Sequence, residues 1–209
     1  MQKLPTPPLR VIITVPHDKC DGQDDAVGAD ARICDTRARE AANALLAALQ
    51  QHGIVDASIY HAMSFRAPGA DLNRPETRKT PWRIAIETDV VDSVRAGKRV
   101  VLFDMHSFPN TPSSFGTLPL AHNAVPQLVL LDDANLSHVD GALRRVTRQT
   151  SVRLVTAHVG GDNDIVNTAR VAGADAALWE FNESPEALSH AQIVEIANAL
   201  AVYALAPPT

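Results

Sequence analysis

Apolar residues recur along this chain in two rhythms. Nearly continuous runs such as Val11-Ile12-Ile13, Val100-Val101-Leu102-Phe103 and Leu128-Val129-Leu130-Leu131 are what strands covered on both faces require, because neither side of the pleat then faces water. On that basis strands are expected at Leu9–Val15, Val55–His61, Val100–Met105, Gln127–Leu131, Ser151–Ala157 and Ala176–Phe181. The second rhythm is helical. Ala38, Ala41, Ala42, Leu45, Leu46 and Leu49 fall on one stripe of a helix that opens near Asp35, which stands where an N-cap is needed, and stops at Gly53. Further helices are expected from Thr80-Pro81 to about Ala96, over roughly His138–Thr150, and from Ser184-Pro185-Glu186 to about Leu205. Strands alternating with helices, without internal repeat or long linker, predict a single α/β domain over residues 1–209, a three-layer sandwich with a mixed central sheet.

Composition narrows the function classes. With 45% hydrophobic residues the 209-residue chain can bury a sizeable core, and its 19 Lys and Arg against 24 Asp and Glu give a formal charge of −5, so a nucleic-acid partner is not expected. No apolar run approaches the roughly 18–20 residues that span a bilayer, and no apolar signal core opens the chain, which favours a soluble, cytoplasmic protein without a membrane partner. Cys20 and Cys34 are too few for a disulfide scaffold or a four-cysteine zinc site, although one bridge between them would close a loop.

Chemistry-bearing residues gather where strands end, the place where open α/β sheets bind ligands. The first strand runs into Pro16-His17-Asp18-Lys19-Cys20, ahead of an acidic stretch ending at Asp35. The third ends Asp104-Met105-His106-Ser107, with Asp104 on the face of His106 by the two-residue alternation. Imidazoles beside carboxylates are a metal-ligand combination; equally, a strand-end histidine serves as a hydrogen-bonded structural residue, and Asp35 as a cap. The last strand carries Glu180 between Trp179 and Phe181, a setting expected to raise its pKa by desolvation and suit it to general-base work; a structural pair with an arginine is the plainer role. Asn73-Arg74, in the turn Asp71–Arg78, offers a bidentate fork and an amide to a carboxylate, unless the turn is simply solvated. His158–Asp164 reads as a polar rim loop. Ser107 lacks the Gly-x-Ser-x-Gly elbow of a serine hydrolase.

Taken in order, Val15-Pro16-His17, Asp35-Thr36, Asp71-Leu72-Asn73-Arg74-Pro75, Asp104-Met105-His106-Ser107 and Leu178-Trp179-Glu180 resemble the N-formylglutamate amidohydrolase family, itself similar to the zinc carboxypeptidases. The likeness covers most of the chain. It implies a phosphorylase/hydrolase-like fold and one catalytic zinc per chain held by His17, His106 and a carboxylate. The carboxypeptidase word His-x-x-Glu is broken at Cys20, whereas Asp35-Thr36 matches the first two positions of the amidohydrolases' Asp-Thr-Asp word, so the resemblance implies Asp35 over Asp18 or Cys20 as the third ligand. It further implies Asn73 and Arg74 on the substrate carboxylate, Glu180 as catalytic glutamate, and Asp104 as an orienting residue. The implied activity is hydrolysis of an amide in an N-formyl or other N-acyl amino acid or short peptide. A small metallocarboxypeptidase, or a carboxylate-binding module without catalysis, is the alternative. Asp18-Lys19-Cys20 after the Pro-His pair, and Arg37 in place of a second aspartate, depart from the family pattern and imply a different pocket near the metal.

Overall fold

A computed structural model describes residues 6–18, 35–62, 72–108, 110, 126–131, 145–146, 148–157 and 163–206. Six strands, β1 (Leu9–Val15), β2 (Ala57–His61), β3 (Arg99–Phe108), β4 (Leu128–Leu131), β5 (Leu154–Ala157) and β6 (Asp175–Asn182), form one sheet in the order β2-β1-β3-β6-β4-β5. All neighbours run parallel except β4 and β6, so the sheet is mixed, as expected.

Alternation along the strands makes two cores. Val11, Ile13 and Val15 of β1, Phe103 and Met105 of β3, and Trp179 and Phe181 of β6 pack beneath α1 (Ala38–Gln51) and α4 (His190–Leu205). Ile12, Leu102, Phe108 and Leu178 face the other way, toward α2 (Pro81–Arg95) and α3 (Asp164–Val171). Small residues on the buried stripe of α1, including Ala38, Ala41, Ala42 and Ala48 beside Leu45 and Leu49, fill its contact with the sheet. Gly53, at φ +78°, accepts the left-handed turn that ends this helix. Among the described residues no helix is long and apolar enough to cross a membrane.

Strand ends shift by one to three residues from expectation, and three helix starts differ for local reasons. Helix α1 begins at Ala38 with Arg37 at the N-cap and no side-chain cap, so the Asp35 side chain does not serve as its cap. Helix α4 begins at His190, because Ser189 and Gln192 form a reciprocal capping box, whereas Ser184 closes a separate turn by accepting Leu188 N–H at its carbonyl. Helix α3, whose eight residues provide little more than two turns of pattern, begins at Asp164, the expected end of a rim loop. Of the helix expected over His138–Thr150, residues 145, 146, 148 and 149 are described and helical. Cys20, Cys34, Asp71 and His158 lie outside the described residues.

Candidate active site

At the C-terminal end of the central strands the α2/α3 side of the sheet changes from aliphatic to polar. On β3 the residues facing that side run Val100, Leu102, Asp104, His106, and all are buried. Strand pairing sets Glu180 of β6 in register with His106, so the two side chains leave the same face of adjacent strands. Trp179 and Phe181, by the same alternation, belong to the opposite core. They are sequence neighbours of Glu180 without sharing its face of the sheet, where one oxygen of the Glu180 carboxylate is itself buried.

His17 follows β1 in a turn and is fully buried, its ring centroid 5.5 Å from that of His106. Its carbonyl accepts the Asp35 N–H at 2.7 Å, which brings the chain back beside it after the intervening residues. Asp35 Oδ2 then stands 2.9 Å from His106 Nδ1, an ion-pair contact between two buried groups. On the other side of the ring, Nε2 is 3.2 Å from Asp104 Oδ2, while Asp104 Oδ1 accepts the Thr14 hydroxyl at 2.5 Å. His106 is therefore held between two buried carboxylates, one of them its strand neighbour Asp104. Burial disfavours the imidazolium, but Asp104 and Asp35 outweigh that and push its pKa up to about 10.

Of the alternative ligands, Asp18 turns elsewhere. Its carboxylate meets His61 Nδ1 at 2.5 Å and Arg39 Nε at 3.4 Å, joining the ends of β1 and β2 to α1. Cys20 is outside the described residues. Arg37, which replaces a family aspartate, does not intrude on His106: its guanidinium donates to Glu40 at 2.7 Å and to the Leu188 carbonyl at 2.8 Å.

The turn bearing Asn73 and Arg74 is anchored rather than solvated. Leu72, Asn73 and Thr77 are buried, and a short 3₁₀ segment, Pro75–Thr77, follows. Asn73 Nδ2 reaches to 3.5 Å from His106 Nε2, while Asn73 Oδ1 accepts the Ile165 N–H at 3.3 Å. Arg74 is half-buried on the same turn, and its carbonyl accepts both Thr77 N–H and the Thr77 hydroxyl. Ser107 faces the α1 side: its hydroxyl donates to Glu183 at 2.9 Å and accepts the Arg37 N–H at 3.2 Å, fastening the segment that carries Asp35.

Sequence reasoning passed over Glu183, Arg83 and Asp164. Arg83 left a signal, since it occupies the buried stripe of α2 with Ile86, Val90 and Ser93, where an arginine demands a buried partner. That partner, Asp164, accepts from Arg83 at 2.7 Å.

Two imidazoles and a carboxylate are the donor set of catalytic zinc sites, and their burial beside Asp104 makes an anionic surrounding suited to a dication. The donor chemistry of His17, Asp35 and His106 thus fits zinc. Among the described residues no group of three His, Cys, Asp or Glu side chains is already disposed around a common metal position; His106 and Asp35 close on each other instead.

No protein-family model matches the chain, and neither does a curated protein. Solved structures do. A gene product of Agrobacterium tumefaciens superposes with a TM-score of 0.62 at 15% identity, over 94% of this chain and 87% of that one. A metallo-carboxypeptidase from Burkholderia cenocepacia gives 0.53 at 11% identity, over 97% and 58%. A succinylglutamate desuccinylase from Chromobacterium violaceum gives 0.52 at 12% identity, over 93% and 60%. The chain thus spans somewhat over half the length of these two named enzymes. At such identities the likeness concerns architecture, and the architecture of this chain is the zinc carboxypeptidase-like α/β fold.

Proposed function

We propose that this chain is a zinc-dependent hydrolase that cleaves the amide bond of an N-acyl amino acid, with N-formyl amino acids first among the candidates because of the resemblance to N-formylglutamate amidohydrolases. The observation that carries the reading is that His17, Asp35 and Asn73 each approach the His106 ring at the C-terminal end of β3, with Glu180 in register beside it on β6. His17, Asp35 and His106 would hold the cation. Bound there, zinc would supply Lewis-acid polarisation of the scissile carbonyl and acidify water. Glu180 accepts the water proton at its carboxylate and returns it to the leaving nitrogen. Arg74 grips the substrate carboxylate with its planar fork, and Asn73 donates from its amide, so that the scissile bond is oriented before reaction. Asp104 keeps the His106 ring in place.

A screen of N-formyl, N-acetyl and dipeptide substrates with added zinc tests this. The expected result is zinc-dependent release of a free amino acid, abolished in Glu180→Gln. Preference for a dipeptide identifies the carboxypeptidase alternative, and carboxylate binding without turnover identifies a binding module. His17→Ala and His106→Ala should each lose zinc by elemental analysis; full occupancy in either folded variant overturns its place among the ligands.

A further inference from the structure

The functional reading gives the turn at 72–74 a substrate to hold but does not explain what holds the turn. Asn73 is gripped by α3: its carbonyl accepts Asp164 N–H at 3.2 Å and its side-chain oxygen accepts Ile165 N–H at 3.3 Å. Those donors are the first two N–H groups of the helix, which have no partner within it. Because Ile165 N–H needs an acceptor, the oxygen of the Asn73 amide is committed to the helix, and Nδ2 is the atom turned toward His106. The amide accordingly offers the reaction site a donor and not an acceptor.

The head of α3 is itself anchored by its own first side chain. Asp164 takes Arg83 on Oδ2 at 2.7 Å and Arg78 Nε on the same oxygen at 2.8 Å, with a further Arg78 nitrogen on Oδ1. Arg83 is fully buried and also donates to the Leu72 carbonyl at 3.0 Å, one residue before Asn73. Arg78 comes from the far end of the same turn. The two arginines therefore connect both flanks of the Asn73-Arg74 pair to one carboxylate, and that carboxylate belongs to the residue whose N–H holds Asn73.

We propose that Asp164 is a positioning residue of the substrate site: braced by Arg83 and Arg78, it fixes the head of α3 so that Asn73 presents its amide N–H to the carboxylate or carbonyl oxygen of a bound N-acyl amino acid. This rests on the proposed function above. The effect is expected in substrate capture more than in the proton transfers of Glu180, which stands on a different strand.

The test is steady-state kinetics with N-formyl-L-glutamate, N-acetyl-L-glutamate and glycyl-L-glutamate on the zinc-loaded protein. Asp164→Asn should raise KM about tenfold or more with kcat within about threefold, the signature of lost binding shared by ground and transition states. Since that change leaves Arg83 buried against a neutral amide, it is paired with Arg78→Gln, at a half-exposed arginine, which should fold normally and raise KM about threefold to tenfold. Glu87→Gln is the control: it removes the other carboxylate on Arg83, at 2.9 Å, without touching the head of α3, and KM should hold. An unchanged KM in folded Arg78→Gln overturns the proposal, even if Asp164→Asn fails to fold, and so does an equal rise in Glu87→Gln. If the wild-type chain turns over none of the three substrates and binds none of them by calorimetry, it is the amidohydrolase reading that fails.

Discussion

Strand β3 has two faces with opposite histories. Toward α1 and α4, Val101, Phe103 and Met105 are apolar along the strand and join a core that includes Trp179 and Leu45. Toward α2 and α3, Val100 and Leu102 give way to Asp104 and His106 with no loss of burial. The first face follows the ordinary rule that buried positions are apolar. The second breaks it after one turn of the pleat, and each polar group there has to be met by another: Thr14 and His106 for Asp104, Asp35 and Asp104 for His106. Such a cluster adds little to stability that apolar packing would not supply better. Its confinement to one face, at the strand ends, is what the proposed reaction site explains.

The sharpest contrast between the faces is between adjacent residues of β6. Glu180→Gln should lower kcat by about 10²–10⁴-fold, the range of general-base assistance, with an unchanged melting temperature. Trp179→Ala, one position away in the other core, should remove about 3–5 kcal/mol of stability while the folded fraction turns over normally. Kinetics beside denaturant melts on both variants measure this, and a stable Glu180→Gln with wild-type kcat removes Glu180 from the mechanism.

On β3 the same comparison takes a milder form. Asp104→Asn should weaken zinc binding about 10–100-fold, as the loss of a carboxylate behind a ligating imidazole does elsewhere. Its neighbour Met105→Leu, in the apolar core, should leave zinc affinity unaltered. Competition with a chromophoric chelator reads both, and equal affinities in the two variants would reduce Asp104 to a packing residue.

The proton on His106 carries a pH dependence of definite sign. Its pKa is raised from 6.5 to about 10 in the metal-free fold. The stabilisation it brings is therefore fully present below about pH 6.5 and is lost as pH rises through about 10, a slope of at most about 1.4 kcal/mol per pH unit. A cation held by the His106 imidazole would have to displace a proton from it, so zinc affinity should rise by up to about tenfold per pH unit over the same window. Chelator competition from pH 6.5 to 9 and melts of the metal-free protein check the two halves; a flat affinity profile would place the proton elsewhere.

How much of this was legible in the sequence depended on whether one element or several had to cooperate. The pairing of Asp104 with His106 needs only the two-residue period of one strand, so the sequence was enough. Glu180 beside His106 needs the register of β3 with β6, which no local pattern contains. The flanking aromatics mislead for the converse reason: sequence neighbours on a strand face opposite sides, so Trp179 and Phe181 line the other core and the burial of the Glu180 carboxylate comes from elsewhere. Asp164 stayed hidden because its meaning depends on Arg83, 81 positions away, and because α3 is too short to announce itself. Asp35 as a helix cap was a reasonable local expectation that the late start of α1 set aside.

The smallest effect concerns Arg74, where chemistry and charge separate. The Arg74 carbonyl is held by Thr77 N–H at 3.1 Å and by the Thr77 hydroxyl at 2.7 Å, so the backbone of the turn is fixed independently of the Arg74 side chain. Arg74→Lys should therefore leave fold, zinc content and the Asn73 contacts as they are. It exchanges a planar fork for a point-like ammonium, which cannot make two parallel hydrogen bonds to one carboxylate. KM for an N-acyl amino acid should rise about threefold to tenfold at a kcat within about twofold of wild type, because the bond that is lost is made to a part of the substrate that does not react. Replacing the substrate carboxylate by a carboxamide should erase the difference between the two enzymes. Kinetics that are identical on the carboxylate substrate would instead make Arg74 a residue of the turn alone, and leave Asn73 to bind without it.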